Sequence, residues 1–226
     1  MNTPAFTADA NRLVKLLETA IVFAGDDTTL PMLRCVRLER HGDHLIGATT
    51  DRFRIGVVKI DVNWDDNAPA DWATMITRDD VAQIATSYKA KGGRGLDKIT
   101  TETNGDQLVL TRTSSAITLT IDAADFNFPK WRSLIPRSDD KDMGGPASVL
   151  NLDLLKGFEK AKWSTNDQLH IEYPVERKPA IITCGHHFLG LLMPLQSNDR
   201  AAWDEVLDHP VESGNRHGEP EIAAAA

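Results

Sequence analysis

Three short stretches of this chain share one pattern: two apolar residues, a residue able to cap a helix, any residue, then aspartate. They read "AFTAD" (5–9), "MITRD" (75–79) and "VLNLD" (149–153), at spacings of 70 and 74 residues. A recurrence at fixed period marks a supersecondary unit used more than once. Thr7, Thr77 and Asn151 can each accept a hydrogen bond from a free first-turn N–H, and the aspartate suits the positive end of a helix. An amphipathic run follows each time. Leu13, Leu16, Leu17, Ala20 and Ile21 fall on one helical face, as do Val81, Ile84, Ala85 and Tyr88. Leu154, Leu155, Phe158 and Ala161 form a less regular third stripe, with Gly157 as its weak spot.

Alternating, β-rich segments come after each helix. The first unit offers "RCVRLER", "HLIGATT" and "RIGVVKI", with His41-Gly42-Asp43 as a turn. The second offers "KITTET", "QLVLTRT" and "AITLTID" around the hairpin turn Asn104-Gly105-Asp106. The third offers "QLHIEYP", "AIITCG" and "FLGLLMPL". The order β-α-β-β-β therefore occurs three times, which predicts an α+β fold of helices packed on sheets. Two units would make one layered domain, and the third has no fourth, so the chain holds one and a half domains. The expected boundaries are a complete domain over 1–127, a connector over 128–146, a half domain over 147–196 and an acidic tail over 197–226.

The connector is unusual. "DFNFPKWRSLIP" (125–136) carries Phe126, Phe128, Trp131, Leu134 and Ile135 where loops are ordinarily polar. Such a segment either packs against a domain or helps build a site. The tail differs in the other direction: residues 197–226 hold seven acids against Arg200 and Arg216, a net charge of −5 out of −8 for the whole chain. With little apolar surface beyond Trp203, Val206 and Leu207, it is expected to be largely disordered, with one short helix near 200–208. The helical stretches 9–21, 77–94 and 151–163 carry 0, +2 and +1, while the rest of residues 1–196 carries −6. Positive helices within an acidic body suit a protein that meets phosphates along its helices.

Other classes are disfavoured. No apolar run reaches the roughly 18–20 residues that cross a bilayer, and "MNTPAFTADANR" is not a secretory signal. Cys35 and Cys184 form no Cys-x-x-Cys pair, and a cytoplasmic location with free thiols is expected. "CGHH" (184–187) offers a thiol and two imidazoles, but no second pair at ligand spacing, and it reads as a hairpin turn. "KAKGGRG" (89–95) follows a helix instead of preceding one, so it cannot present a helix N-terminus to phosphate. No nucleophile-elbow or His-Glu-x-x-His motif is found. The expectation is no catalysis, no metal and no cofactor.

Three stretches on this repeat resemble the bacterial DNA polymerase III β subunit, the sliding clamp, and its phage relatives. "ATTDRFRIG" (48–56) is similar to the stretch after the central hairpin of a clamp domain, and "FPKWRSLIP" (128–136) to the connector between the second and third domains. "KPAIITCGHHFLGLLMPL" (178–195) resembles the clamp C-terminus. With the repeat, the resemblance covers residues 5 to about 196. It implies that the three stretches meet in a surface groove that captures hydrophobic peptides from polymerases and other clamp-motif proteins. Thr50, Arg52, Phe53, Arg54 and Ile55 would line it, with Pro129 and Leu134 from the connector and Leu191, Met193, Pro194 and Leu195 from the last strand. Phe53 and Arg52 stand where clamps often have a smaller residue and a histidine or similar side chain, which implies a narrower pocket or a different preferred peptide.

The resemblance also implies sequence-nonspecific contact with double-stranded DNA through Arg12, Lys15, Lys89, Lys91, Arg94, Lys156, Lys160 and Lys162. A bacterial clamp has three domains, or six units, and closes as a dimeric ring. Here there are three units, matching both halves of the middle domain and the second half of the last. Two readings stay open. Four copies supply twelve units and close a homo-oligomeric ring, opened by a clamp loader; or the chain forms no ring and acts as a peptide-binding module that competes with or modulates a host clamp.

Overall fold

The computed structural model describes residues 3–89, 97–115, 117–135, 150–173 and 178–195. The first unit runs β1 (Thr3–Asp9), α1 (Ala10–Ala20), β2 (Cys35–His41), β3 (His44–Thr50) and β4 (Arg54–Asp61). A two-residue strand β5 (Asn63–Trp64) leads to β6 (Ala73–Thr77), α2 (Arg78–Tyr88), β7 (Lys98–Asn104), β8 (Gln107–Arg112) and β9 (Thr118–Asp122). The third unit gives α3 (Leu152–Lys156), a 3-10 turn Gly157–Ala161, then β10 (Leu169–Glu172), β11 (Ala180–Cys184) and β12 (Phe188–Leu192). Its leading strand, expected just before Asn151, falls outside the described residues except for Leu150, which is not in a strand. Lys91, Arg94, the tail and its expected helix near 200–208 also lie outside them.

Two antiparallel sheets form, in the orders β5-β1-β7-β8-β9 and β10-β11-β12-β4-β3-β2-β6. The leading strands are exchanged between units. β1 pairs with β7 (Thr7 opposite Thr100), and β6 pairs with β2 (Val36 opposite Ile76). Each unit therefore completes the other's sheet, so the repeat folds as a pair. The third unit joins through β12, antiparallel to β4 with Gly190 opposite Gly56.

Capping follows the repeat at two of three sites. Thr77 accepts from the Asp80 N–H while Asp80 reaches back to Thr77, a complete capping box. Asn151 accepts from the amides of Asp153 and Leu154. The first site departs from expectation: Thr7 lies within β1, and Asp9 caps α1 by accepting from the Arg12 N–H at 2.9 Å. Pairing with both β5 and β7 holds Thr7 extended, which delays the helix by two residues.

The core lies between the sheets and the helices. Leu13, Leu16, Leu17 and Ala20 of α1 are buried with Val81, Ile84 and Tyr88 of α2, and the Tyr88 hydroxyl donates to the Leu110 carbonyl at 2.6 Å. At the junction with the third unit, the rings of Phe23, Phe158 and Phe188 meet at centroid distances of 4.9–6.0 Å. Gly56 and Gly190 make room for them: a Cβ on Gly56 would collide with Phe23, and one on Gly190 with Phe158. A second cluster covers the opposite face of the seven-stranded sheet, where Ile46, Ala48, Ile55, Val57 and Leu191 bury Trp131 of the connector. β3 is thus covered on both faces, which explains why every residue from Leu45 to Thr50 is buried instead of every second one. The same cluster accounts for the connector's composition, since Trp131, Phe128 and Ile135 pack on a sheet that would otherwise be wet. No helix among the described residues is long and apolar enough to cross a membrane.

Candidate functional site

The turn between β3 and β4 is built by Asp51. Its Oδ1 accepts from the backbone N–H groups of Phe53 (2.9 Å) and Arg54 (2.6 Å), as short polar side chains do in turns. Thr50 Oγ1 donates to the Arg54 carbonyl at 2.8 Å and accepts from the Arg52 N–H at 3.2 Å. This network holds Arg52 at φ 79°, the sole non-glycine residue with positive φ among the described residues. It also turns Phe53 outward, 54% exposed. The Phe53 carbonyl accepts from the Met193 N–H at 2.9 Å, tying the turn to the end of β12 and setting Phe53 near Met193, itself 43% exposed.

The connector closes the third side. Its 3-10 turn Trp131–Leu134 is pinned by buried Trp131, leaving Leu134 51% exposed. Arg132 lies over the Trp131 ring at 4.2 Å and pairs with Glu39, which also pairs with Arg37 at 2.9 Å. Between turn, connector and β12 lies a cavity of about 350 Å³ lined by Thr50, Arg52, Phe53, Arg54, Ile55, Pro129, Leu134, Leu191 and Met193, together with Leu33 and Pro179. That volume is at the small end of ligand pockets. Thr50, Ile55 and Leu191 are buried and form its floor.

Nine of the eleven residues expected at the groove therefore meet. Pro194 and Leu195 do not line the cavity: β12 ends at Leu192, and past Met193 a proline without an N–H cannot prolong the strand pairing. Leu33 and Pro179 were missed. Pro179 belongs to the "KPAIITC" stretch that carried the resemblance, whereas Leu33 sits in a 3-10 turn, Pro31–Arg34, with no periodicity to flag it.

Arg54 borders the cavity but is spent on structure. Its Nε donates to Asp51 Oδ2 at 2.9 Å, and its guanidinium donates to the carbonyls of Leu154 (3.2 Å) and Val22 (3.4 Å). One side chain thus bonds the first and third units. Gly157, a weak spot when judged by helix propensity, lies against this guanidinium, and a Cβ there would collide with it.

The expected DNA-facing cations divide into two groups. Arg12 pairs with Asp61 at 3.4 Å, Lys89 with Glu18 at 2.8 Å, and Lys15 donates to the Trp163 carbonyl at 3.0 Å while lying over its ring. Lys156, Lys160 and Lys162 are exposed and form no ion pair among the described residues. The histidines of "CGHH" sit at a turn, as expected. His187 stacks on Trp163 at 4.0 Å and is bonded to the Ala161 carbonyl at 2.9 Å. Hydrogen bonds from the Ser164 and Trp163 amides hold the neighbouring Asp167 below the usual carboxylate range. Cys184 is buried, and burial pushes its thiol up. No cluster of three or more candidate metal ligands occurs among the described residues.

No protein-family model matches the chain. It is 28% identical over 142 residues to the beta sliding clamp of Micrococcus luteus, a match covering 60% of this chain and 42% of that protein. Two solved structures superpose over 87% of it at 12% identity. These are the DNA polymerase III β subunit of Thermotoga maritima, with a TM-score of 0.71, and the DNA polymerase sliding clamp of Pseudomonas aeruginosa, with 0.73. The fold is that of a sliding clamp. The chain spans 66–67% of those solved chains and less than half of the curated relative. The expected α+β class and the clamp resemblance agree with these findings. In this chain the cavity lies where β12 of the third unit is added to β4 of the first.

Proposed function

We propose that this clamp-like chain is a non-enzymatic processivity factor for DNA replication in the cytoplasm: its cavity holds a hydrophobic segment of a DNA polymerase while its helical side rides on double-stranded DNA. One observation carries the reading. The β3–β4 turn, the connector and the end of β12, far apart in sequence, converge on a single open apolar cavity rimmed by exposed Phe53, Leu134 and Met193. Large apolar side chains left exposed around a concavity suit the capture of another protein's apolar residues, and the thioether of Met193 adapts to varied shapes. Titrating a labelled hydrophobic clamp-motif peptide into the protein tests it; the absence of saturable binding would remove the reading.

DNA contact in this proposal falls to Lys156, Lys160 and Lys162, the expected cations with no ion pair among the described residues. Reversing all three to glutamate should weaken binding to duplex DNA and reduce the slope of log affinity against log salt by about 3, roughly 0.9 for each phosphate no longer neutralised. An unchanged slope in fluorescence titrations from low to moderate salt would exclude them.

A ring of four chains, twelve units in all and loaded by a dedicated ATPase, is the form of this proposal closest to a complete clamp. A second reading, a non-ring module that docks or competes for clamp-binding peptides, is favoured by the pairing of Arg12, Lys15 and Lys89 within the protein. Native mass spectrometry with and without primed circular DNA separates the two. A mass of about four times 24.9 kDa is expected for the ring, and a monomer under both conditions supports the module.

A further inference from the structure

Arg52 is an odd occupant of the cavity mouth. A φ of 79° suits glycine and is unfavourable for a residue with a Cβ. The Asp51–Thr50 hydrogen-bond network imposes that backbone whatever side chain follows, so the fold itself has no need of arginine here. Its side chain is 59% exposed and lines the cavity. Its guanidinium carbon lies 5.9 Å from the Phe53 ring centroid. Its Nη2 forms only a long, exposed ion pair with Asp27 Oδ2 at 4.0 Å, beyond hydrogen-bond reach. The other oxygen, Asp27 Oδ1, accepts from the Thr29 amide (2.9 Å) and hydroxyl (2.6 Å). The other cation of the cavity, Arg54, is tied to Asp51. Arg52 is thus the cation at this apolar mouth whose donors are not spent inside the protein.

Building on the peptide-capture reading, we infer that Arg52 sets the ligand class: the segment held in the cavity carries a carboxylate beside its apolar anchors, and Arg52 pairs with it at the mouth. A planar guanidinium matches a carboxylate in two-pronged fashion, and Phe53 beneath it limits the orientations it must lose on binding. The carboxylate is either an aspartate or glutamate side chain or a free C-terminus. Both present the same chemistry, and the probes below tell them apart.

The test uses fluorescein-labelled peptides with leucine and phenylalanine anchors, made with aspartate or asparagine beside the anchors and with a free or an amidated C-terminus. Anisotropy titrations against the full chain should show the better-placed carboxylate strengthening binding about two- to fivefold, the range of a partly exposed ion pair, with the gain shrinking as salt rises. In Arg52→Gly and Arg52→Asn, both compatible with positive φ, the ratio between acid and amide peptides should fall to about one. Equal affinity of all four peptides for the unaltered protein would overturn the inference while leaving peptide capture intact. A preference that survives in both variants would assign the carboxylate to another cation and equally overturn it. Failure of every peptide to bind would remove capture and the inference together.

Discussion

Met193→Glu should reduce affinity for a hydrophobic clamp-motif peptide at least a hundredfold, about 3 kcal/mol, while leaving the fold intact. Met193 stands at the cavity rim with its N–H bonded to the Phe53 carbonyl, a backbone bond the substitution keeps. The side chain is 43% exposed in the free protein, so a carboxylate there stays hydrated and costs little stability. With a peptide bound, the same carboxylate must either be desolvated against apolar walls or take Arg52 from the ligand, and either penalty falls on binding alone. Leu152→Glu is the matched control: Leu152 is 76% exposed, at the start of α3, and is not among the residues that line the cavity. It should bind as the unaltered protein does. Equal losses in both variants would point to a general change in charge or folding, and no loss in Met193→Glu would mean that peptides are not held here.

The strands were legible because they rest on short-range rules, whereas the clustering of the cavity residues was legible only through the resemblance to sliding clamps. Alternation in "RIGVVKI" and "AIITCG" reports which side chains face the helices, and β4 and β11 fall within a residue or two of those stretches. The connector's Trp131 and Leu134 signalled a segment that packs on a domain or builds a site, since loops seldom carry them; Trp131 does the first, and Leu134, left exposed, borders the cavity. What could not be read depends on partners distant in the chain. Nothing local to Thr7 shows that its strand is held from both sides, so the capping residue moved to Asp9. Exchange of β1 and β6 between units is equally silent, because either pairing satisfies the same alternation. Counting cations on helices ignored their neighbours: Lys15 meets Trp163 and Lys89 meets Glu18, pairings set by how α1 packs on α2 and on the third unit. Gly157 is the weak spot expected of the third helix, since α3 gives way there to a 3-10 turn, but the space it leaves for Arg54 could not be read from the sequence.

Arg54 is where that long-range order concentrates, and Arg54→Met should destabilise the protein by about 3 kcal/mol. Arg54 and Asp51 are 12% and 13% exposed, so the pair is largely shielded from solvent. Methionine fills much of the arginine stem's volume, which keeps the loss of packing small. What goes is the charge: Asp51 keeps its two amide hydrogen bonds but loses its cation, and the carbonyls of Leu154 and Val22 lose a donor. An ion pair broken from one side costs more than the pair contributes, because the remaining charge is stranded. For a body of this size the loss corresponds to a drop of about 6–12 °C in Tm. Calorimetry of the double variant Asp51→Asn, Arg54→Met should recover part of that drop, since the stranded charge is gone. The third unit is attached through β12, the Phe23–Phe158–Phe188 cluster and this guanidinium, so its loosening should also widen the cavity and weaken peptide binding in the single variant. A single variant as stable as the parent would show that the aromatic cluster and the β4–β12 pairing hold the third unit without Arg54, and that the arginine belongs to the ligand instead.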